Sequence, residues 1–288
     1  MSRAPVAFIL FNRPDETARV FAAIRDAKPS KLLLIADGPR NAEEHVLCER
    51  ARSAVLNHVD WPCDVRTNFS ETNLGCKHRV SSGIDWVFEQ VEEAIILEDD
   101  CLPDPTFFPF CDALLERYRH DERVMHIGGS NFQFGQRVTE DSYYFSAINQ
   151  IWGWATWRRA WQGHYDVTMR RWPEVRDTNF LADLLGEDVA RRVAGGFENI
   201  YTGKTDSWDN QWTLAVWLAG GLTALPATNL ISNIGFGPRA THTKKANSAV
   251  ANQPTEPLTF PLRHPPTICR NRSADDQSFR NMITAKAM

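Results

Sequence analysis

The side chains with the clearest chemical use in this sequence are three consecutive acids, Glu98, Asp99 and Asp100. They follow an unbroken apolar run at 94–97, which is typical of a strand buried on both faces of a parallel sheet. Three adjacent carboxylates repel one another, and Mn²⁺ or Mg²⁺ would offset that charge and neutralise phosphate groups of a ligand. The acids therefore predict a metal site, and the alternative is an acidic turn that faces water.

Another carboxylate, Asp37, stands beside Gly38 at the end of the apolar run 31–36. A carboxylate in that place could accept the N3–H of a uracil ring, and Gly38 would let the chain turn close to the base. The alternative is an ordinary Asp-Gly turn.

Polar residues at two more strand ends suit a negatively charged ligand. Arg13 follows the first apolar run and could meet a phosphate or the base. A helix predicted from about residue 76 follows the third strand, and its first backbone N–H groups suit an anion. All these features fall at one edge of one sheet, and this convergence favours a ligand site. The polar side chains concerned are Asn12, Arg13, Asn73, Lys77 and Arg79.

The elements that must position these side chains alternate between apolar runs and helical stretches over the first 100 residues. This βαβαβαβ order predicts an α/β fold, a single Rossmann-like domain with a mostly parallel central sheet flanked by helices. Asp15 is placed to cap the first helix, and most of the ten tryptophans lie in the second half. The predicted strands are 6–11, 31–36, 64–68, 94–97, 124–127 and 143–145, and the predicted helices are 16–27, 42–57, 76–90 and 104–119.

The order of these motifs resembles GT-A glycosyltransferases, above all the inverting N-acetylglucosaminyltransferase I type and bacterial nucleotide-diphospho-sugar transferases (glycosyltransferase family 2-like). The resemblance covers about 6–245 and is most specific at 93–118, where the DXD-like acids precede a Pro-containing segment and an aromatic helix. By this likeness Asp100 would bind the metal, Asp99 would reach the ribose or the metal, and Glu98 would contact the sugar or the groups that surround the metal ligands. The resemblance thus implies a metal-dependent enzyme that moves a sugar from a nucleotide diphosphate, UDP being favoured, to an acceptor hydroxyl.

The same resemblance divides the chain. A GT-A domain would span 1–245, with its nucleotide-binding half at 1–100 and its acceptor and catalytic half at 101–245. A polar, Pro-rich extension at 246–288 would follow, wrapping the surface.

A candidate base lies in the second half. The segment 205–212 opens a helix and resembles the Trp-Asp-Asp-Trp region in which the family carries its catalytic carboxylate, with Asn210 in place of the second acid. An inverting transfer needs a carboxylate that accepts the proton of the attacking hydroxyl. Asp209 is the first candidate and Asp206 the second, and the alternative is that either acid only caps the helix.

Two further segments resemble parts of the donor site in this family. Gly153 would allow the backbone to approach the sugar closely, and Trp154 could stack on the sugar ring. Tryptophans at 154, 157 and 161 also fit one helical face, so core packing is the alternative. His242 could complete the metal shell or bind a phosphate, as a late histidine does in many GT-A enzymes, unless it is simply solvated.

The composition is that of a globular protein and excludes some partners. The 288 residues are 43% hydrophobic and carry a net charge of −4, which gives no field to attract nucleic acid. The six cysteines show no CxxC spacing and are predicted to be free thiols. Because the apolar run near the N-terminus is too short for a signal peptide or a membrane span, we expect a cytoplasmic protein.

Two other functions stay open. A sugar-nucleotide nucleotidyltransferase has a related sheet, but usually carries a Gly-rich loop where this chain has Phe-Asn-Arg-Pro at 11–14. The other is a non-catalytic nucleotide- or carbohydrate-binding protein on the same scaffold. The expected partners are a nucleotide-diphosphate sugar donor and a glycan or lipid-linked acceptor in polysaccharide synthesis. Contact with a membrane would be peripheral at most, through Arg158, Arg159, Arg170 and Arg171.

Overall fold

The apolar runs of the first hundred residues become the centre of a sheet because both faces of their strands are covered. The computed structural model describes residues 2–237 and 248–287, with side chains as far as residue 282. Every residue of β1 (Val6–Leu10) is buried, as are all but the first of β2 (Lys31–Ala36). β1 lies between β2 and β4 (Glu93–Glu98) and is parallel to both, while β3 (Asp64–Phe69) pairs in parallel with β2.

Beyond β4 the sheet becomes mixed. The order across its eight strands is β3-β2-β1-β4-β8-β6-β9-β7, and four of the seven neighbouring pairs are parallel. Since β8 is antiparallel to both β4 and β6, and β9 is parallel to β6, the carboxyl ends of β1, β2, β4, β6 and β9 share one edge. The predicted α/β fold with a mostly parallel sheet is confirmed. The remaining strands are β5 (Cys101–Pro103), β6 (Val124–Gly128), β7 (Tyr143–Ser146), β8 (Trp154–Trp157), β9 (Leu222–Pro226) and β10 (Ile231–Asn233).

Helices cover both faces of the sheet, each through one apolar stripe. On one face, Val20, Phe21 and Ile24 of the first helix join the even-numbered side chains of β1 and β2. On the other face, Ala7 and Ile9 meet a different set of helices. The first face is covered by α1 (Pro14–Ala27), α2 (Ala42–Leu56) and α4 (Phe107–Tyr118), and the second by α3 (Gly75–Gln90), α5 (Arg158–His164) and α9 (Asp209–Leu218).

Three helices that follow one another in the chain form a third hydrophobic cluster. This cluster includes Leu214 and Trp217 of α9. The three helices are α6 (Trp172–Val175), α7 (Phe180–Leu185) and α8 (Glu187–Tyr201).

Two local predictions were wrong. Asp15 does not cap α1, because Pro14 already occupies the first turn and the N-cap residue is Arg13, whose side chain makes no capping bond. Trp154 and Trp157 do not share a helix with Trp161. They lie on β8, which inserts antiparallel between β4 and β6, and only Trp161 belongs to a helix.

The C-terminal residues are more structured than their polar composition predicts. Residue 270 bridges to Phe145 on β7, and the chain ends in α10 (Arg272–Ala287). Asp275 is completely buried, where it pairs with Arg270 and accepts hydrogen bonds from Ser146 and from the backbone of Ala147. These contacts pack the end of the chain against the sheet.

Other expectations concern the surface and the cysteines. All six cysteines are free thiols, as predicted. The four arginines proposed for membrane contact are each engaged within the chain: Arg158 with Glu92, Arg159 with backbone carbonyls such as Tyr118 O, Arg170 with Asp166, and Arg171 with Glu174. Within 2–237 and 248–287, no helix is both long and apolar enough to cross a membrane.

Candidate functional site

The acids at the end of β4 meet Arg13 from the end of β1, because the two strands are parallel neighbours. Arg13 Nη2 lies 2.7 Å from Asp99 Oδ1, and Arg13 Nη1 lies 2.8 Å from Asp100 Oδ2. Asp99 also accepts a hydrogen bond of 3.1 Å from the backbone N–H of Phe11. Burial would lower the pKa of Arg13, but Asp99 and Asp100 raise it above its ordinary value. Arg13 is therefore a permanent cation between these two acids.

The third acid, Glu98, has no such partner. No hydrogen bond or ion pair to its carboxyl group is found in the part of the chain that the structure describes. Burial raises the pKa of Glu98, and the charges of Asp100 and Asp99 raise it further. Three carboxyl groups thus stand against one guanidinium at this end of β4, and burial together with their mutual repulsion makes Glu98 retain its proton more readily than a free glutamate.

The residues fit a divalent cation in their chemistry, because Mn²⁺ and Mg²⁺ prefer carboxylate oxygen. Mg²⁺ commonly uses only one or two protein carboxylates and fills its other positions with phosphates and water. Among the described residues, no group of three or more His, Cys, Asp or Glu side chains is arranged to hold a metal. Asp99 and Asp100, the predicted ligands, are both paired with Arg13, so such an ion would compete with Arg13 for their oxygens.

The base-binding role predicted for Asp37 does not agree with its surroundings. Its Oδ1 accepts the N–H groups of Gly38 and Leu74, both at 2.9 Å, and its Oδ2 accepts those of Gly75 (3.1 Å) and the Asn73 side chain (3.0 Å). Burial raises the pKa of Asp37, while these backbone bonds act in the opposite direction. Because each carboxylate oxygen has two lone pairs, four donors leave no position for the N3–H of a base.

Asp37 instead organises the loop between β3 and α3. A side chain at Gly38 would come within 2.5 Å of the Thr72 backbone, so this glycine is needed for the loop to lie close to β2. Asn73 also donates to Gly38 O at 2.9 Å. Gly38 and Asn73 thus act together with Asp37 in one structural unit.

Two of the other polar residues predicted at this edge are also held by the protein itself. Asn12 donates to Glu44 at 3.1 Å. Arg79 is buried, and its Nη2 donates to both the backbone oxygen and the side-chain oxygen of Asn68, at 2.7 and 2.8 Å. The role of Arg79 as an anion ligand is therefore not supported, because its guanidinium holds α3 against β3. Lys77 remains partly exposed.

The N-terminus of α3 does hold an anion, but the anion is Asp206. Its carboxylate accepts the backbone N–H of Cys76 at 2.9 Å and that of Lys77 at 3.0 Å. Gly75 has φ of +78°, and a side chain there would come within 2.9 Å of Asp206 Oδ2. Two unsatisfied helix donors and the positive end of the helix dipole explain why a carboxylate binds there. Asp206 therefore attaches the segment before α9 to α3. Because both of its carboxylate oxygens already accept hydrogen bonds, Asp206 is a poor candidate for the second base.

Asp209 is the first residue of α9 and is half-buried. Its Oδ1 accepts hydrogen bonds from the side chains of Ser207 and Asn210. No donor to its Oδ2 is found among the described residues, so this oxygen is available to a ligand. Asp209 also lies close enough to Glu98 to raise that group's pKa. The two acids are therefore within electrostatic reach of each other at the carboxyl edge of the sheet.

Cys76 lies in this acidic surrounding. Burial raises the pKa of its thiol well above the ordinary value, and the charges of Glu98, Asp206 and Asp209 add to the effect. A cysteine in this environment stays protonated and is a poor nucleophile. Cys76 is thus a neutral residue between the acids of β4 and those that precede α9.

The stacking role predicted for Trp154 is wrong. Its ring is completely buried on β8, 4.9 Å from His126 and 5.7 Å from Trp208, so no face is free for a sugar. Gly153 has φ of +61°, and a side chain there would collide with Ile231. The backbone at Gly153 therefore lies close to the protein core, and not to a sugar as predicted. Its neighbour Trp152 is the partly exposed tryptophan of this segment.

Several neighbours of the site carry weak or no signals in the sequence. A side chain at Gly235 would collide with Asp100 and Arg13, so the backbone after β10 closes directly over that pair. Phe236 then packs on Trp152. The sequence shows an aromatic segment but does not reveal which tryptophan is accessible. In the structure Trp154 is buried on β8, whereas Trp152, just before that strand, is partly exposed. His242 lies outside the described residues, so its predicted metal role stays a prediction.

Comparisons with known proteins give only distant likenesses. No protein-family model matches the chain, and neither does any curated protein. Among solved structures, 57% of the chain is similar to a mannosyltransferase, PcManGT from Pyrobaculum calidifontis in complex with GDP-Man and Mn²⁺, at 15% identity and a TM-score of 0.39. The match spans 48% of that protein, so the chain covers about half the length of this relative.

Two further structures are similar over more of the chain. A 4-diphosphocytidyl-2C-methyl-D-erythritol synthase from Anaerococcus prevotii matches 77% of this chain and 88% of its own, at 7% identity and a TM-score of 0.38. Mouse xyloside xylosyltransferase 1 matches 73% of this chain and 80% of its own, at 11% identity and a TM-score of 0.35. At this distance, function has to be argued from the residues of this chain.

Proposed function

We propose that the protein is a GT-A glycosyltransferase that moves a sugar, with inversion, from a nucleotide diphosphate to an acceptor hydroxyl. The observation that carries this proposal is that the acids at the end of β4 and Asp209 at the start of α9 lie close enough for the charge of Asp209 to raise the pKa of Glu98. The end of β4 has three carboxyl groups against one guanidinium, and the start of α9 has a carboxylate with one free oxygen.

The donor would bind at the end of β4, where ligands of open α/β sheets commonly lie. Asp100 and Asp99 would hold a divalent ion, Mn²⁺ or Mg²⁺, which when bound neutralises charge on the leaving diphosphate. Arg13 pairs with both carboxylates and orients them, and its charge opposes the rise that burial causes in the pKa of Asp99. Glu98, beside them, is free to accept a hydrogen bond from a sugar hydroxyl.

The acceptor would bind on the Asp209 side. Its hydroxyl oxygen attacks the anomeric carbon, and its proton passes to Asp209 Oδ2 as the bond to the diphosphate breaks. The electron pair of that bond leaves with the diphosphate. Ser207 and Asn210 hold Oδ1, which leaves Oδ2 oriented for the proton. Because a base and a leaving group on opposite sides of the sugar require in-line attack, the configuration inverts.

UDP remains the first nucleotide to try because of the family resemblance, although Asp37 no longer supports it. GDP and dTDP are the alternatives, since none of the residues described here selects the base. The acceptor is proposed to be a glycan or a lipid-linked glycan.

Calorimetric titration of UDP, GDP and dTDP, with Mn²⁺ and then with EDTA, tests the donor half. We expect one nucleotide to bind only with metal, and Asp100→Asn to abolish that binding. Asp15→Asn is the matched control, because Asp15 is an exposed acid in the first turn of α1. Binding that ignores both metal and Asp100 would refute the proposal.

Transfer from the nucleotide sugar that binds tests the other half. Asp209→Asn should leave nucleotide affinity unchanged and reduce the rate of transfer by a factor of roughly 10²–10⁴, the usual contribution of a general base. Full transfer activity in Asp209→Asn would remove Asp209 from the mechanism.

A further inference from the structure

A large cavity lies at the same edge of the sheet as the candidate site. Its volume is about 920 Å³, within the range of roughly 300–1,000 Å³ that ligand pockets have. The loop after β6, the turn after β9 and the strap formed by residues 253–263 are its three walls. Because β6 and β9 run in the same direction as β4, this cavity opens at the edge that also carries the acids.

The lining favours a neutral ligand rich in hydroxyl groups. Its charged side chains are three acids and two arginines, which gives no excess positive charge for a polyphosphate or a nucleic acid. Amides and hydroxyls make up much of the rest, with prolines and one exposed ring, Phe134, as apolar surface. The polar uncharged side chains are Asn131, Gln136, Ser142, Thr228, Asn229, Gln253, Thr255 and Thr259.

One of these amides is buried with an incomplete set of hydrogen bonds. Gln253 is 8% exposed, and its Nε2 donates to Asn131 O at 2.8 Å. Its Oε1 accepts no hydrogen bond from the described residues. A buried acceptor without a donor costs about 1–3 kcal/mol, so this amide in the cavity wall lacks a hydrogen bond that it could still make.

An aromatic row leads out of the cavity. Phe134 lines it, and the Phe134 ring stacks on Phe132 with centroids 6.5 Å apart. Phe132 in turn meets Trp152 edge to face at 5.4 Å. Phe134 and Trp152 are exposed enough to pack on the C–H surface of a sugar ring, whereas Phe132 is buried between them.

The row continues to the acids. Trp152 packs edge to face on Phe236 at 5.7 Å. Phe236 is next to Gly235, whose backbone closes over Asp100 and Arg13. From β4 to β9 there are three strand spacings, or about 14 Å at roughly 4.8 Å each. A single sugar cannot reach across that distance, but a short chain of sugars can.

We propose that this cavity and its aromatic row bind an oligosaccharide, several sugar units long, whose end is the acceptor of the proposed transfer. The substrate class is therefore a glycan chain, and the cavity selects for chain length. The role of the bound glycan as acceptor rests on the proposed function. The binding of the glycan does not, because it can be measured without a donor.

A printed array of defined glycans is the probe, and a cavity-filling variant is the test. Thr259 is exposed and lines the cavity, so Thr259→Trp should fill its mouth without disturbing the core. We expect the wild type to retain at least one glycan and Thr259→Trp to bind it at least roughly tenfold more weakly, the equivalent of about 1.4 kcal/mol. Thr67→Trp is the matched control, because Thr67 is exposed on the opposite edge strand, β3.

Two measurements complete the experiment. Phe134→Ala should weaken binding of the same glycan, and affinity in calorimetry should rise as that glycan is lengthened from one unit to several. If no glycan is retained, if Thr259→Trp binds as well as the wild type, or if a single sugar binds as tightly as the chain, the proposal is wrong. Nucleotide titration of the same proteins is independent, so failure of the donor site and failure of the cavity are distinguishable.

Discussion

Replacing Asp206 should reduce the proposed transfer by displacing Asp209, the proposed base, because the Asp206 carboxylate attaches the segment before α9 to α3. That carboxylate takes two N–H groups of α3, at 2.9 and 3.0 Å, only three residues before Asp209. A helix cap of this kind is worth about 0.5–2 kcal/mol, and because Asp206 is exposed we expect about 1 kcal/mol. The melting temperature of Asp206→Ala should therefore fall by roughly 2–4 °C.

The catalytic effect should be larger than the effect on stability. A displacement of about 1 Å in a reacting group can reduce a rate by a factor of about 10². Without its attachment to α3, the start of α9 can move, so kcat should fall by a factor of roughly 10–100. Nucleotide affinity should be unchanged, and the pH profile of kcat should keep its shape because Asp209 remains the base.

The assay is steady-state transfer over a range of pH, together with thermal unfolding. Asp188→Ala is the control, because Asp188 is an exposed acid in the first turn of α8 that pairs only with Arg191 among the described residues. If Asp206→Ala melts and turns over like the wild type, Asp206 does not position Asp209. If the acidic limb of the kcat–pH profile disappears in Asp206→Ala, Asp206 is the base and Asp209 is not.

Three other predictions concern buried groups. Asp275→Ala should lower the free energy of unfolding in urea by about 3 kcal/mol, because it removes a completely buried acid and leaves the partly buried Arg270 without its partner; a loss near zero would mean that the C-terminal contacts contribute little. Burial lowers the pKa of His126 to about 3, and the unfolded chain binds a proton near pH 6.5. Between these values the unfolded state holds more protons, so stability should fall as the pH is lowered from about 6.5 towards 3, and His126→Phe should flatten that slope in acid titrations. Trp154→Ala should lose about 3–5 kcal/mol of stability because its ring is completely buried. Trp152→Ala should keep the stability of the wild type and bind the proposed oligosaccharide more weakly. Equal losses of stability would contradict the different burial of the two rings.

Much of the candidate site could be predicted because parallel strands bring their carboxyl ends to one edge. Glu98, Asp99 and Asp100 follow an apolar run, and so does Arg13, so their proximity followed from the βα alternation. Asp209 could be proposed from the start of a helix and its aromatic neighbours. Their roles in catalysis stay predictions until the titrations are made.

The roles of individual polar residues could not be predicted in the same way. Asp37 ends a buried strand as a ligand-binding acid would, but its oxygens are filled by donors from a loop about 36 residues further along the chain. Asp206 fills the anion site of α3 from 130 residues away. Such pairings depend on how loops meet in space, and a residue type alone does not reveal whether its hydrogen bonds are already made.

The sequence by itself determined the parallel half of the sheet, because unbroken apolar runs separated by amphipathic helices leave few other ways to bury both faces. It also determined that three acids would stand together at the end of β4. Only the tertiary structure decided which tryptophan is exposed, which carboxylates are free and where the large cavity lies. Those features arise from antiparallel β8 inserting between β4 and β6 and from the C-terminal strap closing over β7 and β9, contacts between residues far apart in the chain that no local pattern encodes.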